Sequence, residues 1–394
     1  MNTPPKRSTR TLLAAALVLG VAAGPLTLSP AFAAPAPPAA AAAVAGPDLS
    51  AVIAGLPRAD ATAALVRIGG TEGSWAGSAG VHDLESRAPA DPAARFRMGS
   101  VTKVFTAATV LQLAAEGRID LDRTARSYLP ELIPGRYATV TVRQLLNHTH
   151  GIPPAGMPGG TVEEWYERRF EVHEPEELVR RATAQPREFR PGTRQHYLNI
   201  GYTIAGLIVE RVTGESYEEQ VERRILRPLD LRDTYSPGRE TEIRGPYNHG
   251  YQLMRRDDGT TGLRDVSVWG VTDGWAAGDL VSTTADLERF TRALFAGRVV
   301  RGPLLEEMFT LPEVTDFGSG APAAYSVGLS MKRLGGREVW GKTGGRWGYN
   351  AAIASTRRGE RTLVYSVNST DAKGQEMNRT ALELMLATYG LPSE

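Results

Sequence analysis

Ser100-Val101-Thr102-Lys103 sets a hydroxyl and an amine three residues apart, the separation that brings two side chains to one helix face a turn apart. The lysine is the telling member. Of the 45 basic residues, only Lys6, Lys103, Lys332, Lys342 and Lys373 are lysine; the rest are arginine. Arginine keeps its charge at any working pH, whereas burial can strip a lysine of its proton and leave a neutral base. A lysine kept beside a serine in such a composition points to catalysis by an activated hydroxyl. At a helix start, the Ser100 N–H also lies at the positive end, where it can stabilise an oxyanion. No other serine has a lysine three residues on.

Two further short patterns carry matching chemistry. In Tyr197-Leu198-Asn199 the phenol can relay a proton when nearby cations lower its pKa, and the amide can orient Lys103 and a substrate carbonyl. In Lys342-Thr343-Gly344-Gly345, glycines let a substrate lie close to a strand edge, and the Gly345 N–H can complete an oxyanion hole with that of Ser100. Each pattern alone also fits a plain structural role, a helix start or a tight turn. Order and separation make the set specific, with Tyr197 97 residues after Ser100 and Lys342 145 residues beyond that.

The elements that must hold these residues follow from periodicity and punctuation. Thr62 to Ile68 and Ser74 to His82 read as an antiparallel hairpin, and Arg95 to Met98 as a short extended piece. From Val101 the period becomes helical (Val104, Ala108, Leu111, Ala115) until Gly117. Shorter helices are expected at Val140 to Leu146 and Tyr217 to Leu226, with a charged helical stretch over Thr161 to Ala184. Tyr197 to Val212 reads as a strongly apolar helix stopped by Gly214, and Thr283 opens a helix through Leu294. Strands return at Tyr325 to Met331, Arg337 to Trp340, Asn350 to Ser355 and Leu363 to Val367, before a final helix, Gln375 to Thr388. Strands at both ends joined by short turns imply an α/β protein of the α+β kind, an antiparallel sheet flanked by helices plus an all-helical lobe. The sheet lobe would take residues 49–99 and 240–390, the helical lobe 100–239, with a catalytic cleft between them.

Residues 1–33 read as a secretory signal, with Lys6, Arg7 and Arg10 before an apolar stretch and Ala31-Phe32-Ala33 as the cleavage site. Residues 34–48 form an alanine/proline-rich tether. A secreted location is therefore expected, with no stable membrane anchor. The chain contains no cysteine. Stability must come from one large core, for which the roughly 345 remaining residues suffice. A net charge of +1 with scattered arginines gives no basic face and argues against nucleic acid as a partner. His148 and His150 alternate in a loop with no third ligand nearby, so they are expected to be structural, and no metal or cofactor is expected. His196 is expected to pack. Trp275, Trp347 and Tyr349 fall in segments bordering the cleft, where stacking on substrate and core packing fit equally well.

Ser-x-x-Lys, Tyr-x-Asn and Lys-Thr-Gly in this order resemble the active-site set of class C β-lactamases and the related serine DD-peptidases. Phe96-Arg97-Met98-Gly99, Leu145-Leu146-Asn147-His148-Thr149, Ala276-Ala277-Gly278 and Tyr325-Ser326-Val327-Gly328-Leu329 extend the likeness over residues 50 to 390. The resemblance implies a β-lactamase/transpeptidase-like fold and a secreted D-alanyl-D-alanine carboxypeptidase, with a class C-type β-lactamase or an esterase as close alternatives and a non-catalytic ligand-binding relative as a more distant one. Its substrate would be a cell-wall stem peptide, a β-lactam or an ester. It further implies Ser100 as nucleophile, Lys103 as its base with Tyr197 as the alternative acylation base, Tyr197 as proton relay and the Ser100 and Gly345 amides as oxyanion hole. Lys342 would keep the site electropositive, depressing the Tyr197 pKa and favouring a neutral Lys103. Asn199, Thr343, Gly344, Trp275 and Trp347 would contact substrate. Two departures bear on substrate. The hydroxyl residue that in many carboxypeptidases follows Lys-Thr-Gly is here Gly345, and the arginine expected on the preceding strand falls near Ser330.

Overall fold

The computed structural model describes residues 45–391 except Pro158, Asp257 and Gln375; the expected leader and most of the tether lie outside the described residues. Six strands form the main sheet: β1 (Ala61–Gly69), β2 (Trp75–Gly80), β3 (Ser330–Leu334), β4 (Arg337–Arg346), β5 (Tyr349–Thr356) and β6 (Thr362–Ser369). Their order is β2-β1-β6-β5-β4-β3, with every neighbouring pair antiparallel. The first hairpin thus lies against the last strand, as runs of strands at both chain ends require.

β6 is buried along its whole length, which explains its apolar run Leu363-Val364-Tyr365. Each face of the sheet is covered. On one, Val66, Val339, Ala354 and Tyr365 pack with Leu384 and Met385 of helix α4 (Arg379–Thr388). On the other, Trp340, Ile353 and Val364 join the larger core with α1 (Thr102–Ala115), α2 (Ile200–Thr213) and α3 (Thr284–Phe295). Phe105 of α1 stacks on Phe290 of α3 with centroids 3.8 Å apart. The Thr283 hydroxyl caps α3 by accepting the Asp286 N–H, and Gly214 ends α2 at φ 74°. Among the described residues, no helix is long and apolar enough to cross a membrane.

Several expected boundaries move, each for a local reason. The strand expected at Tyr325 begins at Ser330, because Gly328 turns the chain at φ 87° and the Ser326 hydroxyl is tied to the Met308 carbonyl. The strand expected to end at Trp340 runs on through Arg346, so Lys342 to Gly345 sit on β4. The charged stretch from Thr161 divides into Val162–Glu167 and Pro175–Ala184, the second started by proline at its first position. Tyr197 precedes α2, and the final helix starts at Arg379 instead of Gln375. A hairpin of Tyr251–Arg255 with Thr261–Asp265 has no counterpart in the sequence reading.

Candidate active site

Three segments converge on Lys103. Ser100 lies in a 3-10 turn, Gly99–Val101, that feeds α1, placing Lys103 in the first turn of that helix. Lys103 is fully buried, and its amine lies 3.1 Å from Ser100 Oγ, 2.7 Å from Asn199 Oδ1 and 2.7 Å from the Ala277 carbonyl. The two 2.7 Å partners are acceptors only. A neutral amine has two N–H groups and one lone pair. Both N–H groups are therefore spent on Asn199 and Ala277, and the lone pair is left to accept the Ser100 hydroxyl proton. Burial first, and then the cation of Lys342, hold Lys103 well below the ordinary lysine range. This is the arrangement of a general base with its nucleophile. The Ala277 carbonyl was not foreseen as a partner, although Ala276-Ala277-Gly278 had stood out as a pattern.

Asn199 precedes α2 without capping it, because its amide oxygen is given to Lys103. Tyr197, two residues earlier, is held by a buried His148. The His148 carbonyl accepts the His196 N–H (2.9 Å), its Nδ1 accepts the Leu198 N–H (3.4 Å), and its ring lies 4.5 Å from that of Tyr197. His148 takes φ 63°, rare for a residue with a side chain. His150 is also buried, with Nδ1 accepting the Ile152 N–H. Both histidines therefore serve packing and loop geometry. His196 pairs with Glu188 at 2.7 Å and stacks near Phe317.

The Tyr197 hydroxyl is shielded from solvent and has no hydrogen-bond partner among the described residues. Burial pushes the phenol up, against a smaller downward pull from Ser100. This corrects the expectation that Lys342 depresses it: the Lys342 amine lies 4.7 Å over the centre of the Tyr197 ring, but loss of water outweighs the cation. Tyr197 is thus a protonated phenol at neutral pH, fit to donate to a leaving group. Lys342 is itself buried, donates to the Thr343 carbonyl at 2.7 Å, and is brought down to about 7 by loss of solvent. Its positive charge is therefore only partial near neutrality.

The glycines on β4 serve the nucleophile's backbone. A Cβ on Gly344 would stand 2.0 Å from the Met98 carbonyl oxygen and 2.8 Å from the Ser100 nitrogen. Gly99, at φ 52°, faces Gly345, where a Cβ would lie 2.8 Å from the Gly345 nitrogen. The two backbones whose amides are expected to hold the oxyanion are thus in direct contact. Replacing Gly344 by alanine should push the turn away from β4. We expect a loss of about 1–3 kcal/mol in urea unfolding, with acylation of Ser100 slowed at least tenfold; unchanged acylation would break the link between this contact and the nucleophile. β3 pairs with β4 only as far as Gly341, leaving the Lys342–Arg346 edge unpaired by β3 and open to an extended substrate.

Other expected contacts fall elsewhere. The Trp275 indole packs on Gly206 and Tyr217 and donates to Glu218 at 2.7 Å, contacts made away from the four catalytic side chains. Trp347 belongs to an aromatic cluster with Trp165 and Trp269 at the turn following β4, and the Lys373 amine lies 6.0 Å from its ring centre. Tyr349 is core, its hydroxyl donating to the Asn248 carbonyl. The buried Arg346 pairs with a half-buried Asp273 at 2.7 Å; desolvation pushes Asp273 up, but Arg346 overrides this and holds it below the usual carboxylate range. Neither residue carried a signal beyond the general charge pattern.

An antiparallel sheet flanked by helices, with a serine–lysine pair at the foot of a buried helix and Lys-Thr-Gly on the facing strand, defines a serine hydrolase of the β-lactamase fold. The chain belongs to the Beta-lactamase family, whose model matches residues 49–386. It is similar to the D-stereospecific amidohydrolase of a Streptomyces species: 32% identity, TM-score 0.74, covering 87% of this chain and 99% of that one. It is also similar to the D-amino acid amidase of Ochrobactrum anthropi SV3, solved with D-phenylalanine (26%, TM-score 0.72, 86% and 98% covered). A third likeness is to the octameric penicillin-binding protein homologue of Pyrococcus abyssi (26%, TM-score 0.68, 85% and 75% covered). The chain spans about half the length of the curated relatives it matches.

Proposed function

We propose that this chain is an exported amidohydrolase that cleaves the bond on the carboxyl side of a D-amino acid residue through an acyl-Ser100 intermediate. The observation that carries the chemistry is the buried Lys103 amine 3.1 Å from Ser100 Oγ, with the Asn199 and Ala277 oxygens each 2.7 Å away as acceptors. Ser100 Oγ adds to the substrate carbonyl carbon as Lys103 takes the hydroxyl proton. The oxyanion is held between the Ser100 and Gly345 amides. The C–N bond then breaks, and Tyr197 delivers a proton to the departing nitrogen. Water hydrolyses the ester with Lys103 and Tyr197 in reversed roles.

Two features favour an amidase over the D-alanyl-D-alanine carboxypeptidase first expected. Position 345 lacks a hydroxyl, and a side chain there would meet the Ala372 carbonyl, 2.8 Å from a Cβ on Gly345. The Ser330 hydroxyl, near the place of the expected arginine, is given to the Gly341 carbonyl. The likeness to a D-stereospecific amidohydrolase and a D-amino acid amidase supports the same reading. The carboxypeptidase remains the second reading, on the likeness to a penicillin-binding homologue. The basic start, apolar stretch and Ala31-Phe32-Ala33 support export.

The test follows intact mass and product for the protein from Ala34 onward with D- and L-phenylalanine amide, a peptide ending in D-Ala-D-Ala, and benzylpenicillin. Release of ammonia from the D-amide alone, lost in Ser100→Ala, is the expected result. Release of D-alanine without amide cleavage would put the carboxypeptidase in its place. Turnover of penicillin alone would make the protein a β-lactamase.

A further inference from the structure

A cavity of about 280 Å³ lies between the β3–β4 hairpin and the C-terminal helix α4. Its walls are Met331, Leu334, Val339, Met385 and Tyr389. One end is made by catalytic-site residues: Lys342, Thr343 and Tyr325, the last with its ring centre 4.7 Å from that of Tyr197. The strand register sets the cavity and the catalytic site on opposite faces of β4, and Lys342, Thr343 and Tyr325 bridge them at the edge that β3 leaves unpaired beyond Gly341. Val339, Gly341 and Thr343 alternate onto the face that α4 covers, whereas Lys342 and Gly344 point toward Tyr197 and the nucleophile turn.

The chemistry fixes which part of a substrate reaches this end. The carbonyl oxygen is drawn to the Ser100 and Gly345 amides. The leaving atom must face its proton donor, Tyr197, whose ring is flanked by Lys342 and Tyr325. The leaving group therefore departs on the Tyr325–Thr343 side, toward the mouth of the cavity.

We propose that this cavity is the leaving-group subsite and that it takes an uncharged, apolar amine or alcohol of aromatic size. The inference rests on acyl transfer through Ser100 as described above. Its volume is ample, since an apolar cavity of about 150 Å³ holds benzene. Among the described residues no acidic side chain lines it, so a cationic group finds no partner there. A peptide carboxylate would lie one Cα from the departing nitrogen, hence close to Thr343. Of the hydroxyls there only that of Thr343 could meet it, since Gly345 has none and that of Ser330 is given to the Gly341 carbonyl. Lys332, the other cation at the cavity, pairs across from Val339, two strand positions further from Thr343 than Ser330. In the step itself, the acyl C–N or C–O bond breaks as Tyr197 protonates the leaving atom, and the neutral amine or alcohol passes into the cavity.

The experiment compares N-methyl and N-benzyl amides of one D-amino acid, and the matching methyl and benzyl esters, on the full mature protein. Benzyl should be preferred at least tenfold in kcat/KM. Two variants at lining residues outside the catalytic groups narrow or strip the cavity: Ala354→Leu, and Met377→Ser, whose side chain is already 37% exposed. Each should cut the benzyl preference severalfold while leaving the methyl substrates unchanged, with melting curves confirming folding. Equal use of methyl and benzyl substrates by the unmodified enzyme, or a preference that survives both variants, overturns the assignment but not the Ser100 chemistry. If neither amide nor ester is cleaved, the amidohydrolase reading falls and takes the subsite with it.

Discussion

Replacing Lys103 by methionine is expected to lower kcat/KM for every acyl substrate by roughly 10³-fold, within the 10²–10⁴ typical of general acid–base catalysis. The fold should survive. Methionine is close to lysine in length and removes the cost of burying an amine, while leaving the Asn199 and Ala277 oxygens without a donor. Each unmet acceptor costs about 1 kcal/mol or more, so the two effects largely offset and the melting temperature should move by only a few degrees. Acylation followed by intact mass, beside a thermal melt, separates catalysis from folding. Tyr197→Phe sharpens the test. Burial pushes the phenol up, which disfavours it as the proton acceptor in acylation and suits it to donate to the leaving group. Losing it should affect amides, whose nitrogen must be protonated to leave, far more than esters of acidic alcohols. A Lys103→Met enzyme retaining a tenth of its activity would transfer the base to another group and undo the reading of the amine's three contacts.

The sequence pointed to the groups that the structure gathers at the candidate site better than to their surroundings, for physical reasons. Ser100, Lys103, Tyr197, Asn199 and Lys342 carry reactive groups in short fixed patterns, and the structure brings them to one place. The fold class also followed, because strands at both ends joined by short turns leave little choice but an antiparallel sheet. What escaped depends on contacts between distant segments. The role of Gly344 is to admit the Met98 and Ser100 backbone, a demand set by the 3-10 turn and invisible in Lys-Thr-Gly itself. Trp275 looked like a cleft aromatic from its position, but its indole is claimed by Glu218, 57 residues earlier. The direction of the Tyr197 shift depends on burial, which no local pattern measures. The end of the strand at Trp340 was misjudged because glycines usually break strands, whereas here the pairing of β4 with β5 carries it through Gly344 and Gly345.

Stability should rise as pH increases from 7 to 10, against the common pattern of an optimum between about 5 and 8. The cause is Lys342. Its folded pKa falls from 10.5 to about 7 through burial alone. Between these values the unfolded chain binds a proton that the folded chain does not, so the unfolded state is favoured at the lower end and loses that advantage as pH climbs. At 1.36 kcal/mol per unit, the single site is worth about 5 kcal/mol as an upper bound. Lys103 is displaced in the same direction and adds to the slope. Lys373, also displaced downward, is exposed to solvent and adds little. Other groups act outside the window. The depressed His148 and His150 exert their full effect by about pH 7, because an unfolded histidine titrates near 6.5. Asp279, raised to about 7, completes its change at the lower edge. The buried tyrosines begin to oppose folding only near pH 10. Urea midpoints at half-unit steps should therefore climb from pH 7 to 10, and Lys342→Met should flatten much of the rise. A profile that is level or falling across this range would mean that Lys342 keeps its proton in the folded state. The cleft would then be fully cationic at neutral pH, which would restore the electropositive site first expected and return a carboxylate-bearing peptide to the front of the possible substrates.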